Sequence, residues 1–355
     1  MKDMRYIGNK EKLVERIDYI LNSHDVKGDS VFDFFAGTAN VGRYFKSKGL
    51  QIFSNDILYL SYCLQKAYIE NNAEPSFSRL QDSLNFPNEC LFDPPLNKIV
   101  SYLNHIDGVE GFIYQNYTME GTRNLERPRM YFSDENGKRI DAIRQQIENW
   151  RTDSLVNEAE YYILLACLIE SVSFYSNVAG VYAAFYKKWD PRALKPFMLR
   201  AIRQYDNGKV NHVFNENSLD LVCDVAADVL YLDPPYNERQ YLPNYHLVET
   251  IAKYDFPVIK GVTGMREYSR EKSSFCNCKT ALRDLDYISR NTPSPTVVLS
   301  YNSEGIMPKE SIIEVLSAYG EVTVDEFEYL RFKSNSNGLS KTKRHVLEQV
   351  YILKK

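Results

Sequence analysis

Residues 30–56 read SVFDFFAGTANVGRYFKSKGLQIFSND. An apolar strand beginning at Ser30 runs into a glycine turn by Gly42, and VGRYFKSKG then resumes as a helix that Gly49 ends. QIFSND, Gln51 to Asp56, is a second strand closing on an acid. Strand, glycine turn, helix, strand and acid, in that order, open a Rossmann-like unit. The turn lets a ligand approach the backbone, and the acid can accept hydrogen bonds from ribose hydroxyls. Asp56 stands 23 residues after Asp33, close to the separation of about 20 residues that such a unit places there. Only Gly37 and Gly42 are present in the turn, so it is not G-x-G-x-x-G and gives little support to a dinucleotide pyrophosphate as ligand.

Outward from this unit, residues 11–24 carry apolar positions at helical spacing, and Gly28 closes the turn that follows. Residues 96–209 change character. A Tyr- and Arg-rich stretch, FIYQNYTMEGTRNLERPRMYFSDENGKR, precedes two helical segments at about 138–150 and 157–176. Lys187 to Lys209 then holds seven Lys/Arg against two Asp, interleaved with Trp189, Phe197 and Tyr205. Cations of this kind contact phosphates and rings offer stacking surfaces, although a solvated helix face looks much the same. Beyond residue 210 the alternation of strand and helix returns. DVLYLDPPY is followed by a helix around Leu247 to Tyr254, the strand PTVVLSYNSEG, a helix at about 308–319, and strands EVTVDEFEY and LEQVYIL that can pair as an antiparallel hairpin. The pattern predicts an α/β core from residues 1–95 and 210–355, interrupted by an insertion over 96–209.

Composition narrows the classes. The net charge of −4 argues against non-specific coating of nucleic acid and leaves local clusters to do any such binding. One further cluster is KSNSNGLSKTKRH, Lys333 to His345. No run approaches the roughly 20 apolar residues of a membrane span, and MKDMRYIGNKEKL lacks a secretory h-region, which predicts a cytoplasmic protein. Six scattered cysteines without C-x-x-C, and His212 and His246 without H-x-x-x-H spacing, point to no disulfide framework and no metal. No G-x-S-x-G elbow suggests a hydrolase.

The second informative stretch is YLDPPYNERQYLPNYHLVET, residues 231–250. Asp233 follows a short apolar strand, at the sheet edge where open α/β folds bind ligands. Two prolines fix their own φ angles and extend the residue before each, so Asp-Pro-Pro-Tyr is a stiff loop presenting one carboxylate and one ring. A second Asp-Pro-Pro, Asp93 to Pro95, has Leu96 in place of the ring and no strand-like run ahead of it, and reads as a plain turn.

RYIGNK (Arg5 to Lys10), DFFAGT (Asp33 to Thr38), SND (Ser54 to Asp56) and DPPY (Asp233 to Tyr236) occur in that order. The arrangement resembles the Dam-like class of adenine-specific DNA methyltransferases, and GVTGMREYS (Gly261 to Ser269) and LSYN (Leu299 to Asn302) also look like this class. The resemblance implies a Rossmann-like methyltransferase core using S-adenosyl-L-methionine, with 96–209 as a largely helical target-recognition insertion. It implies double-stranded DNA as substrate, a restriction-modification or orphan role, and in the former a separately encoded endonuclease as partner. Asp33, with Phe35, Ala36, Gly37 and Thr38, would hold the methionine end of the cofactor and Asp56 the ribose, while Tyr6 and Lys10 would reach back over cofactor and base and Asp233 would also touch the cofactor. An acid near the cofactor adenine would have to come from NENSLD, as Asn217 or Asp220. Arg123, Arg127, Arg129, Lys187, Lys188, Arg192 and Tyr245 are the candidate DNA contacts.

The catalytic set would be Asp233, Pro234, Pro235 and Tyr236. An exocyclic amino nitrogen is a poor nucleophile because its lone pair is delocalised. Asp233 and the Pro234 carbonyl can accept its two N–H bonds and favour the tetrahedral nitrogen of the transition state. A base inside a duplex must flip out to reach them, and Tyr236 offers a ring to stack on. An amino group in RNA or on cytosine, and a DNA-binding relative without catalysis, remain as alternatives.

Overall fold

The computed structural model describes residues 4, 6–8, 10–84, 93–330 and 345–355. The chain divides into two compact units. One comprises 7–65, 205–242 and 269–355; the other comprises 1–6, 66–204 and 243–268.

The first unit is built on a seven-stranded sheet: β1 (Ser30–Asp33), β2 (Gln51–Asn55), β3 (His212–Phe214), β4 (Val229–Leu232), β5 (Thr296–Asn302), β6 (Glu321–Leu330) and β7 (His345–Lys354), in the order β3-β2-β1-β4-β5-β7-β6. The first five strands in that order run parallel, and β7 is antiparallel to both of its neighbours. β6 and β7 do pair as an antiparallel hairpin, but it is β7 that meets β5. Register places Phe53, Phe32, Leu230, Val297, Leu353 and Val322 in one lateral row. Phe32, Leu230, Val297 and Leu353 are buried in one hydrophobic core, with Phe53 and Val322 partly buried against it, and Leu285 and Ile288 of the helix Cys278–Asn291 and Ile312 and Leu316 of the helix Lys309–Ser317 share that core from outside the sheet. All four residues of β4 are buried, as a strand covered on both faces requires.

Asp228 joins the starting ends of β1 and β4. Its carboxylate accepts from the Asp29 and Ser30 N–H groups at 2.8 and 3.0 Å and from the Ser30 hydroxyl at 2.7 Å. Gly28 sits so close that a Cβ there would come within 2.3 Å of the Asp228 Cβ.

The second unit contains helices Ser78–Leu84, Pro95–Leu103, Phe112–Tyr117, Asp134–Thr152 and Glu158–Val172, with most of Leu242–Lys253. Asp134–Thr152 starts where Ser133 caps it, and Glu158–Val172 where Asn157 and Glu160 form a reciprocal capping box. The buried Arg144 crosses from Asp134–Thr152 to the carbonyl end of Leu242–Lys253. There its guanidinium donates to Ile251 O (3.1 Å) and Ala252 O (3.3 Å), a favourable place for a cation. Pro95 opens its helix at the first position, so the Asp-Pro-Pro of residues 93–95 is a helix start. The unit containing 96–204 also takes in 66–95 and 243–268. Among the described residues no helix is long and apolar enough to cross a membrane.

Candidate active site

Parallel register decides which residues meet. Asp33, closing β1, stands opposite Ser54 on β2 and Tyr231 on β4. The chains leaving these three strands therefore emerge side by side, carrying Asp33, Asp56 and Asp233 to one sheet edge. The ladder continues a step beyond the strands, with Phe34 N–H donating to Tyr231 O and Ala36 N–H to Asn55 O, each at 3.0 Å.

The turn after β1 has left-handed backbone at Gly37 (φ +52°) and Ala39 (φ +62°) before the helix Asn40–Ser47 begins. Glycine adopts that conformation freely; alanine is held in it by the surrounding bonds. One of these joins the Gly37 N–H to Asp56 Oδ2 at 2.8 Å, while Asp56 Oδ1 accepts from Leu58 N–H at 2.8 Å. Asp56 thus fixes the glycine turn to the end of the neighbouring strand. Asp33 reaches the first turn of the helix, where its Oδ2 accepts from the Gly42 N–H at 3.2 Å. It is 1% exposed. Burial, then the charge of Asp233 and to a lesser extent that of Asp56, push its carboxyl up to about 8, against an opposing pull from the Gly42 bond. Ala36 and Thr38 are buried, and Thr38 Oγ1 accepts from Asn40 Nδ2 at 2.9 Å. Phe35 is half-buried and meets Phe34 and Phe275 edge-on at 5.3 and 5.2 Å.

Asp233, two residues past β4, faces Lys10. The ammonium lies 3.4 Å from Asp233 Oδ1, 3.4 Å from Glu348 Oε2 on β7, and 4.9 Å from the centre of the Tyr236 ring. Lys10 is 4% exposed, and the two carboxylate side chains 14% and 9%. One buried cation is therefore shared by two acids. Burial raises the Asp233 carboxyl, and the Lys10 charge and the Tyr236 hydrogen bond oppose it. Burial raises Glu348 as well, with Lys10 pulling down and Asp233 pushing up. The Tyr236 hydroxyl donates to Asp233 Oδ1, and its ring packs edge-on against Tyr301 at 5.3 Å. Pro234 and Pro235 are both buried, and Ile306 N–H ties down the Tyr236 carbonyl at 3.0 Å. The Asp-Pro-Pro-Tyr loop is thus held at both its acid and its ring.

Of the residues singled out in the sequence, Lys10, Asp33, Phe35, Ala36, Gly37, Thr38, Asp56 and Asp233 to Tyr236 belong to one unit. Tyr6 belongs to the other, where it is 6% exposed and stacks on the fully buried Tyr245 at 4.3 Å. That burial leaves Tyr245 no free face for a nucleic acid. Arg129 is likewise no free contact: it is 5% exposed, and each guanidinium nitrogen donates to a carbonyl, Nε to Val262, Nη1 to Asn116 and Nη2 to Gly261. Lys187, Lys188 and Arg127 are exposed, whereas Arg123 pairs with Glu120 and Arg192 with Asp190. Asn217 caps the short helix Ser218–Leu221 by accepting from Leu219 N–H. Arg5, Asn9, Cys90 to Phe92 and the basic run from Lys333 to Arg344 lie outside the described residues, as does the side chain of His345. The sequence reading missed Glu348, whose partner Lys10 is 338 residues away.

A family model described as "D12 class N6 adenine-specific DNA methyltransferase" matches residues 6–315. The chain is 38% identical to the modification methylase StsI of Streptococcus sanguinis, over 99% of this chain and 52% of that protein. It is 40% identical to the type II methyltransferase M.FokI of Planomicrobium okeanokoites, over 93% of this chain and 50% of that protein. The chain thus spans about half the length of these two. With the type II methyltransferase M.NlaIII of Neisseria lactamica it shares 36% identity, over 99% of both.

Proposed function

The chain belongs to the D12 class of N6 adenine-specific DNA methyltransferases, and from that membership we propose that it methylates the exocyclic amino group of an adenine flipped out of duplex DNA, as the modification enzyme of a restriction system. Its sheet unit is then a Rossmann-like methyltransferase core, and the segment 96–209 the part that recognises the target sequence. The cofactor is S-adenosyl-L-methionine. The donor set suits it: Asp33 lies within reach of the charges of Asp56 and Asp233, and Asp233 shares Lys10 with Glu348, an excess of acid that fits a ligand with an ammonium, a sulfonium and a ribose diol. When bound, this group supplies an electrophilic methyl. Asp33 would take its ammonium, Asp56 its ribose hydroxyls, and the Phe35 to Thr38 turn would pass closely over it.

The chain's own residues set up the nucleophile. Asp233 and the Pro234 carbonyl accept the two N–H bonds of the target amine, which draws its lone pair out of the ring and toward tetrahedral geometry. Lys10 matters because burial raises the Asp233 carboxyl and the Lys10 charge opposes that rise, and a protonated carboxyl is a poorer acceptor. Tyr236, fixed by its hydrogen bond to Asp233 and by Tyr301, gives the flipped base a stacking partner worth about 1–3 kcal/mol, comparable to the cost of unstacking it.

The observation that supports this reading most is the buried Lys10–Asp233–Tyr236 contact on the same sheet edge as Asp33 and Asp56. It is tested by transfer of a labelled methyl from S-adenosylmethionine to duplex DNA followed by nucleoside analysis, for wild type and Asp233→Ala. Methyladenine is expected from the wild type and none from the variant, with S-adenosylhomocysteine binding retained in both. Label appearing only in RNA, only in cytosine, or nowhere overturns the assignment.

A further inference from the structure

Gly261–Gly264 forms a tight turn in the unit that contains 66–204. Lys260 and Met265 exchange both backbone hydrogen bonds at 2.9 and 2.8 Å, and Gly264 N–H closes onto Gly261 O at 3.3 Å. All four carbonyls of the turn are held by buried side chains. Gly261 O accepts from Arg129 Nη2 at 2.9 Å, Val262 O from Arg129 Nε at 3.2 Å, Thr263 O from the Tyr131 hydroxyl at 3.0 Å, and Gly264 O from the Tyr117 hydroxyl at 2.9 Å. The floor beneath is tight: a Cβ on Gly264 would come within 2.8 Å of the Tyr117 ring and 3.0 Å of Arg129 Nε.

In a trans peptide the C=O and the following N–H point opposite ways. Carbonyls of Gly261 and Val262 drawn inward therefore turn the N–H groups of Val262 and Thr263 outward. Val262 is 52% exposed, and Lys260 beside it is exposed too. The outer face is left with amide donors, a cation and an apolar side chain, the composition of an anion-binding concavity that also tolerates a sugar. Tyr131 extends the pattern, since its hydroxyl lies 2.7 Å from Tyr182 O as well. From Tyr182 the chain runs to the exposed Lys187 and Lys188, in a loop fixed by Asn177. That residue accepts from Tyr186 N–H (2.9 Å) on its carbonyl and from Asp190 N–H (2.9 Å) on Oδ1. Several anion-seeking groups anchored on one hydroxyl suit a polyanion better than a single carboxylate.

We propose that the Gly261–Gly264 turn is a preformed phosphodiester contact, in which the Val262 and Thr263 amides and Lys260 grip the DNA backbone and Arg129, Tyr131 and Tyr117 hold the grip open. This rests on the assignment of DNA as substrate. Two substitutions test it. Val262→Pro removes one amide while keeping apolar bulk at a turn position that favours proline. Lys260→Gln removes the charge without touching the backbone. Binding of the purified protein to a fluorescent duplex is measured by anisotropy across a salt series. For Lys260→Gln the slope of log affinity against log salt is expected to fall by about one. Val262→Pro is expected to weaken binding severalfold on all sequences alike, with S-adenosylhomocysteine binding unchanged in both. Wild-type affinity and slope in both variants overturn the proposal while leaving the DNA assignment intact. A wild type that binds no duplex sinks both. If Val262→Pro melts at a lower temperature, the Lys260→Gln slope alone decides.

Discussion

Asp33 is an acid buried where ionisation is costly, and its behaviour with pH follows from that. With its carboxyl at about 8 in the folded chain, it carries a proton at neutral pH. Because the folded value lies above the ordinary one near 4, ionisation destabilises the free protein progressively as pH rises from 4 toward 8. A ligand ammonium placed on Asp33 reverses the preference, so binding must expel the proton. Calorimetry of S-adenosylhomocysteine binding near pH 6.5 should show close to one proton released, read as heats that vary with the ionisation enthalpy of the buffer. The release should disappear above about pH 9 and in Asp33→Asn. Heats independent of buffer would remove Asp33 from the binding role. Glu348 makes a second case: Glu348→Gln leaves the Lys10 ammonium to Asp233 alone, so the acidic limb of the methyl-transfer profile should move to lower pH, whereas a merely structural loss would lower the rate without moving the limb. The acids at strand ends were legible because strand–turn–acid order is a local pattern. Glu348 was not, since in LEQVYIL it looks like any polar residue of a strand and its meaning lies in a distant lysine. Arg129 misled for the same reason: an Arg-rich stretch says nothing about which guanidinium will be surrounded by carbonyls.

At the scale of elements, Asp141 shows how one side chain sets up another helix. It is fully buried on Asp134–Thr152, and its carboxylate accepts from Ile113 N–H (2.9 Å), Tyr114 N–H (2.7 Å) and the Tyr254 hydroxyl (2.7 Å). It thereby caps Phe112–Tyr117, the helix that carries Tyr117 and Asn116 to Arg129 and the Gly264 turn. Asp141→Ala strands three donors and should cost about 3 kcal/mol in denaturant unfolding; a loss below about 1 kcal/mol would mean that water replaces the cap. The helices Val14–Ser23, Asp134–Thr152, Glu158–Val172 and Lys309–Ser317 fall within a few residues of where the pattern placed them. Cys278–Asn291 went unassigned although Ala281, Leu285 and Ile288 carry the spacing and Asn277 the cap. β3 is three residues long and offers no periodicity to read.

At the scale of the molecule, alternating strands and helices announced an α/β sheet. That 66–95 and 243–268 fall in one compact unit with 96–204 was not legible, because tertiary contacts leave no local trace. The same holds for β7 between β5 and β6. A chain ending at residue 320 would leave β5 with an unpaired edge and Lys10 without Glu348. Exposed parallel edges invite association, so this fragment should elute as aggregate in size-exclusion chromatography; a soluble monomer with native circular dichroism would show that β6 and β7 are dispensable for folding.

The placement of β7 also has a meaning in time. A ribosome completes β6 before β7 exists, so β6 has no partner in the sheet until its only neighbour is made and lies between it and β5. Lys10, translated 338 residues earlier, acquires its second carboxylate only then. A nascent chain that already displays the Asp-Pro-Pro-Tyr loop has an unfinished charge cluster, and synthesis broken off at that stage leaves Lys10 to Asp233 alone.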